Sequence, residues 1–172
     1  MKIIEALKKI KDLQRKAEDL RGKIGKYCVH YDYETPTYQD QKGKVSEWLQ
    51  AHMGIVKEIL KLRLAIQKTN VLTLVDIEIG GKKVTNSIAG WIHIRRDLAK
   101  MDETAWGQLG DKGLKEGISR NTSGESVPVK IVRCYEPTER DKNLEMYRQE
   151  PMLIDSTLEV VNAVTDLIED DE

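Results

Sequence analysis

Two stretches of this 172-residue sequence hold the residue types from which a ligand site could be made. The first is a tyrosine cluster: Tyr27, Tyr31, Tyr33 and Tyr38 place four of the nine aromatic residues within twelve positions. Rings at that density serve either as packing at the end of a helical hairpin or a subunit interface, or as a stacking surface for a planar group such as a nucleobase. The second is a glycine-rich run, 107–126, in which Gly107, Gly110, Gly113, Gly117 and Gly124 alternate with Lys112, Lys115, Arg120, Asn121, Thr122 and Ser123. It reads either as a flexible connector or as a cradle whose N–H groups, hydroxyls and guanidinium close over a phosphate, helped by Arg95, Arg96 or Arg133. The ligand-binding set expected from the two stretches is Tyr31, Tyr33, Arg95, Arg96, Arg120, Asn121, Thr122 and Arg133.

Spacings that carry catalysis are missing from the sequence. It has no Gly-x-x-x-x-Gly-Lys-Ser/Thr loop, no Gly-x-Ser-x-Gly elbow and no His-Glu-x-x-His helix. Of the three histidines, His52 falls in an apolar seam and reads as a partly buried or inter-subunit residue, and His93 stands beside Arg95 and Arg96, whose charge disfavours a metal. Cys28 and His30 supply two ligands where a structural metal needs about four. Cys28 and Cys134 match no metal or redox spacing and read as reduced thiols of a cytoplasmic protein. The expectation is therefore no catalytic residue, no metal and no cofactor.

Charge narrows the partners. The 28 Lys and Arg against 29 Asp and Glu leave a net charge of −1, which argues against a general DNA-binding domain. No apolar run approaches the ~18 residues of a membrane span. The near-neutral total conceals an asymmetry: residues 1–30 carry a local +5 and residues 136–172 a local −9. Opposite charges at the start and finish favour pairing the first and last helices, with Glu169-Asp170-Asp171-Glu172 left as a solvated tail.

Periodicity supplies the elements that must position these groups. Ile3, Ala6, Ile10, Leu13, Ala17, Leu20, Ile24 and Tyr27 step by three and four, which predicts a first helix ending near Lys23–Lys26, where Gly22 and Gly25 weaken it. Tyr27, Val29, Tyr31 and Tyr33 then alternate as a short strand or extended loop. A second helix from Tyr38 or Gln41 to Lys68 carries Val45, Trp48, His52, Ile55, Ile59, Leu62 and Ile66, flanked by Leu49 and Val56. Val71–Ile79, Gly80-Gly81 and Lys82-Lys83-Val84 make a β-hairpin. A third helix capped by Thr85 or Ser87 runs to about Leu109, with Ile88, Trp91, Leu98, Ala105 and Leu109 on one face and Arg95 and Asp102 beside them. Val127–Tyr135 reads as a strand, held to an edge by Pro128. The last helix opens at Glu136-Pro137-Thr138, its seam being Leu144, Tyr147, Pro151, Ile154, Leu158, Val161, Thr165 and Ile168, with Pro151 set to kink or split it. The expected architecture is mostly α: a long antiparallel helical hairpin plus two further helices in a bundle, with a small β-hairpin and one extra strand. It forms a single domain over 1–172, with the β-hairpin at 71–86 and the glycine-rich loop at 107–126.

The order of parts resembles the septicolysin-like proteins. The lysine- and leucine-rich opening, Met1–Leu20, is similar to theirs, as are Ile66-Gln67-Lys68-Thr69-Asn70, the Gly81-Lys82-Lys83-Val84-Thr85 turn, Arg120 ahead of Lys130-Ile131-Val132, and Asn162 in the closing helix. The longer hairpin at Val71–Ile79 and Pro151 depart from that pattern. The resemblance implies a helical, soluble protein whose function is poorly established. No amphipathic membrane segment supports the lysis that the family name suggests.

Seams with apolar residues on two sides point to self-association, and the tyrosines and glycine run supply ligand groups. The reading that joins them is a non-catalytic, homo-oligomeric binding protein. Its sharpest form is a sponge for a phosphorylated, cyclic nucleotide signal, as in small viral counter-defence proteins. The alternative is a helical structural or assembly protein without a small-molecule ligand, with an enzyme ranked last.

Overall fold

A computed structural model of the chain describes residues 1–168, so the acidic stretch 169–172 expected as a solvated tail lies outside the described residues. The elements run α1 (Ile3–Tyr27), α2 (Gln41–Leu72), β1 (Leu74–Ile79), β2 (Lys82–Ser87), α3 (Ile88–His93), a π-helical segment (Ile94–Leu98), α4 (Ala99–Gly107), β3 (Gly117–Arg120), β4 (Ser126–Val129) and α5 (Pro137–Val164). The fold is mostly helical, with two small hairpins, β1-β2 and β3-β4. The residues divide into two compact units: 1–74 with 87–89 and 158–168, and 75–86 with 90–157.

In the first unit the heptad pattern of α1 becomes its buried stripe, with Ile3, Ala6, Ile10 and Leu13 inside. Tyr27 meets Trp48 near one end and Lys9 pairs with Glu58 at 2.6 Å further along, so α1 and α2 form an antiparallel hairpin. Gly22 and Gly25 do not end α1, which continues to Tyr27. The alternating Tyr27–Tyr33 stretch is no strand: it finds no pairing partner, and Val29, Tyr31 and Tyr33 stand exposed in the turn between the helices. Asp40 caps α2 by accepting a hydrogen bond from the Gly43 N–H at 2.8 Å. A Cβ at position 43 would push the Asp40 carboxylate aside and so disturb the cap. Replacing Asp40 with Ala is expected to cost about 1 kcal/mol, read as a lower urea midpoint with an unchanged slope.

Residues 1–3 are joined to residues 164–168. The Ile3 N–H donates to the Thr165 carbonyl at 3.0 Å and the Leu167 N–H to the Met1 carbonyl at 2.8 Å. Lys2 Nζ reaches the Val164 carbonyl at 2.8 Å and Asp166 at 2.7 Å, which connects the basic start to the acidic finish. That lysine holds the Asp166 carboxyl below the ordinary aspartate range. Thr69, fully buried on α2, donates to the Ala65 carbonyl and accepts from the Ile168 N–H, both at 2.8 Å.

In the second unit β1 alternates as its sequence requires, burying Val75, Ile77 and Ile79. Gly80 and Gly81 turn the hairpin at φ 57° and 78°, conformations that other L-residues adopt only with strain. The hairpin is shorter at its start than expected, because α2 continues to Leu72 and β1 begins at Leu74. The third expected helix forms as one uninterrupted run of α3, the π segment and α4. Within it the Ala99 N–H bonds the Ile94 carbonyl, five residues back. This extra residue slips the buried face by one. Trp91 is followed inward by Ala99 and not by Leu98, which is exposed, as is Ala105.

Two further differences lie towards the C-terminal side. The glycine-rich run expected as a loop contains β3, which pairs antiparallel with β4 in the register Gly117↔Val129 to Arg120↔Ser126. The strand expected over 127–135 stops at Val129, since residues 130–136 find no ladder to join. Pro151 does not split α5, which is continuous from Pro137 to Val164. Its ring sits in the half-buried part of the expected seam, with Ile154 and Leu158 buried beyond it.

Candidate functional site

The second unit contains a cleft of about 480 Å³, lined by residues 108–114 on one side and 131–135 on the other. One wall begins where α4 ends at Gly107 and its last turn tightens, the Leu109 N–H donating to the Trp106 carbonyl at 3.2 Å. The chain then turns through Lys112 and Gly113, at φ 50° and 75°, closed by a 2.8 Å bond from the Leu114 N–H to the Asp111 carbonyl. The opposite wall follows β4 and is tied back by the Ile131 N–H, which donates to Glu116 Oε1 at 3.1 Å. Arg140, in the first turn of α5, donates to the Leu109 carbonyl at 3.1 Å, and its guanidinium lies 5.8 Å over the Tyr135 ring.

Arg133 is the centre of this cleft. Its Nε and Nη2 donate to the two carboxylate oxygens of Asp111 at 2.8 and 2.7 Å, a bidentate pair joining the walls. These hydrogen bonds hold the Asp111 carboxyl below the ordinary aspartate range, against an opposing push from burial. Both side chains remain more than a third exposed, so water screens the pair. Leu109, Leu114 and Ile131 supply apolar lining, and Lys112 stands on the turn. Chemically this is a half-apolar slot lined by a guanidinium, a phenol, a thiol and a second cation, groups that can hold an anion beside an apolar or planar moiety.

The other expected site residues are placed as follows. Arg95 pairs with Asp155 of α5. Arg96 donates to His93 Nδ1 at 3.3 Å and lies 3.8 Å from Asp97. Arg120 is exposed on β3, opposite Ser126. Asn121 builds the β3-β4 turn: its Oδ1 accepts from the N–H groups of Ser123 and Glu125 at 3.0 and 2.9 Å, and its Nδ2 donates to Glu125. Thr122 is exposed in the same turn. Among the four arginines, Arg133 alone lines the cleft. Tyr31 and Tyr33 belong to the first unit, where they stack at 5.2 Å and 10° with most of their surface exposed. Tyr38 instead packs edge-on against Tyr27 and Trp48, and Tyr27 lies tilted against Trp48, so the sequence cluster divides into one packed and one open pair.

Sequence reasoning missed Asp111, Tyr135 and Arg140 as cleft residues. Their only signal is proximity to turns, because the pairing of 108–114 with 131–135 is a tertiary event. Among the described residues no group of three or more His, Cys, Asp or Glu could hold a metal ion, and both cysteines are free and exposed. No helix among the described residues is long and apolar enough to cross a membrane.

No family model and no curated protein matches this chain. A solved structure is similar: a functionally unknown conserved protein from Corynebacterium diphtheriae, 20% identical, with a TM-score of 0.56 over 98% of this chain and 99% of that chain. At that identity the likeness shows the fold alone.

Proposed function

We propose that the chain is a non-catalytic, self-associating protein that binds a phosphorylated nucleotide, with the cleft between 108–114 and 131–135 as its seat. The observation that carries the reading is Arg133, aligned by Asp111 on the wall of a cleft whose size falls in the range of small-molecule sites. A phosphate takes over the Asp111 positions on the guanidinium, Lys112 adds a second cation, and the apolar wall with Tyr135 receives the base. Binding without turnover makes such a protein a sponge for a cyclic nucleotide signal, the role that viral counter-defence proteins play. Membership of the septicolysin-like family, bundle packing of the helices and a cytoplasmic setting belong to the same proposal.

Calorimetry against a panel of cyclic mono- and dinucleotides tests it. One member is expected to bind stoichiometrically below micromolar concentration and to be recovered intact by mass spectrometry. Arg133→Ala weakens that binding at least tenfold, whereas Arg96→Ala leaves it within a factor of two. Silence across the panel overturns the reading, and a new product in the mass spectrum would make the protein an enzyme.

A second reading, a structural protein with no small-molecule ligand, is favoured by the apolar outer face of α2. It expects concentration-dependent assembly that is indifferent to Arg120→Ala and to deletion of residues 113–117.

A further inference from the structure

Lys112 is the one residue other than glycine, among the described residues, whose backbone lies in the left-handed region, at φ 50°. With Gly113 it forms the centre of the turn 111–114, closed by the Leu114 N–H on the Asp111 carbonyl. Positive φ at both central positions is the pattern of a type I′ turn, which favours Asn, Asp or Gly first and Gly second. A Cβ there crowds the following carbonyl oxygen, and lysine has no short polar side chain to offset this by a local hydrogen bond. The chain fills a similar backbone differently elsewhere. The β1-β2 turn runs at φ 57° and 78°, against 50° and 75° here, and both of its central residues are glycine. A Cβ at Gly80 would also meet Met146 Sδ, so packing adds its own demand for glycine there. At position 112 the side chain is exposed and has room, but room does not relieve the backbone.

The fold makes no use of the lysine side chain. Among the described residues its ammonium makes no ion pair and no hydrogen bond. It lines the cleft of about 480 Å³, whose other charged lining residues, Asp111 and Arg133, are paired with each other. Arg140, over the Tyr135 ring, is paired with Asp141. Asp111 thus offsets Arg133 and Asp141 offsets Arg140, so Lys112 is what makes the lining net positive. Strain of this kind persists where function holds it, and here it falls on the unpaired cation of a cleft.

We infer that Lys112 is the principal phosphate-attracting residue of the cleft, kept in the left-handed turn at a loss of stability so that its ammonium and the Arg133 guanidinium meet one anion. This rests on the nucleotide reading proposed above and deepens it. Arg133 orients the anion through its planar fork, and Lys112 supplies, as a point charge, the attraction that a neutral lining lacks. Lys112 belongs to one wall and Arg133 to the other, so the anion bridges the two.

Two measurements on the full chain test the inference, one without ligand and one with it. Lys112→Asn puts into the turn a residue that tolerates its backbone, and the urea midpoint is expected to rise by roughly 0.3–0.5 M. Lys112→Arg keeps both the charge and the strain, and its midpoint stays within about 0.1 M of wild type. Inorganic phosphate is then titrated by NMR, following the amide resonances of 111–114 and 133–135. The wild type is expected to saturate, Lys112→Asn to bind at least fivefold more weakly, and Lys112→Arg to stay within twofold of wild type. A Lys112→Asn midpoint that does not rise overturns the inference, because no strain is then held for a ligand. Unchanged phosphate binding in Lys112→Asn overturns it as well. Loss of that binding in Arg133→Ala would then leave the cleft standing as the nucleotide seat, and its persistence would remove the cleft too. Cleft resonances that ignore phosphate in the wild type also overturn the inference, whereas the nucleotide reading falls only if the calorimetric panel is silent.

Discussion

Trp91→Ala is expected to remove about 4 kcal/mol of stability, the largest single loss in the chain. Trp91 is 1% exposed, in the second unit, whose other buried residues include Val75, Ile77, Ile79 and Ala99. Its Nε1–H also donates to the Val75 carbonyl at 2.9 Å, so one side chain fills the core and satisfies a strand oxygen. The two contributions differ in size. A buried indole removes roughly 150–250 Å² from water, worth several kcal/mol at ~25 cal/mol per Å², whereas the hydrogen bond nets about 1 kcal/mol. Trp91→Phe keeps most of the apolar surface and forfeits the bond, so it should lose about 1–2 kcal/mol. Urea denaturation followed at 222 nm distinguishes them. Equal losses in the two variants would mean that packing is not what Trp91 contributes.

The second large effect runs the other way. Glu150 on α5 is 7% exposed, and its carboxyl is pushed above the ordinary glutamate range, first by burial and then by the negative charge of Asp102. Tyr147, one residue triplet earlier, is raised as well by burial and by the charges of Asp102 and Glu150, with a hydrogen bond from Trp106 acting against them. A carboxyl whose folded pKa exceeds its unfolded value holds its proton more tightly when folded. Its favourable contribution is complete below the unfolded pKa and disappears as pH rises through the folded one. Near neutral pH, Glu150 is therefore a liability. Glu150→Gln keeps the shape without the charge and should raise stability at pH 7.5 by the order of 1 kcal/mol, with the gap closing towards pH 4. Asp76, Asp111 and Asp166, lowered by Lys83, Arg133 and Lys2 respectively, act oppositely and lose their contributions as pH falls through their folded values. They are present in both proteins and cancel from the comparison. Parallel pH profiles for wild type and variant would remove Glu150 from the account.

What could be read from the residues, and what could not, follows from the range of the interactions. The seam of α1 and that of α5 are local patterns, and Ile3, Ala6, Ile10 and Leu13, then Ile154 and Leu158, are buried as the spacing requires. Gly80-Gly81 marks its turn because only that conformation is at issue. The slip from Leu98 to Ala99 is invisible, since a π segment is a response to packing and has no residue signature of its own. β3 is hidden for a different reason: Gly117–Arg120 are all exposed, so no apolar alternation records it, whereas its partner β4 overlaps the start of the strand read from Val127. The arginines were legible as cations but not as a site. Which carboxylate each one meets is decided across 22 residues for Arg133 and 60 for Arg95. Leu49 and Val56, flanking the inner seam of α2, were the one sequence trace of its second face.

The pairing of residues 1–3 with 165–167 has a consequence for how the polypeptide is made. The first unit is discontinuous: its opening 74 residues are completed by 158–168, and the second unit is interposed. At about 5–20 residues per second, a ribosome takes several seconds or more to synthesise the intervening segment. Until it does, Thr69 lacks Ile168 and Ile3 lacks Thr165, and the helical hairpin waits with its closing strap unwritten. The hairpin's closing contacts therefore form only after the whole of the interposed unit has been synthesised.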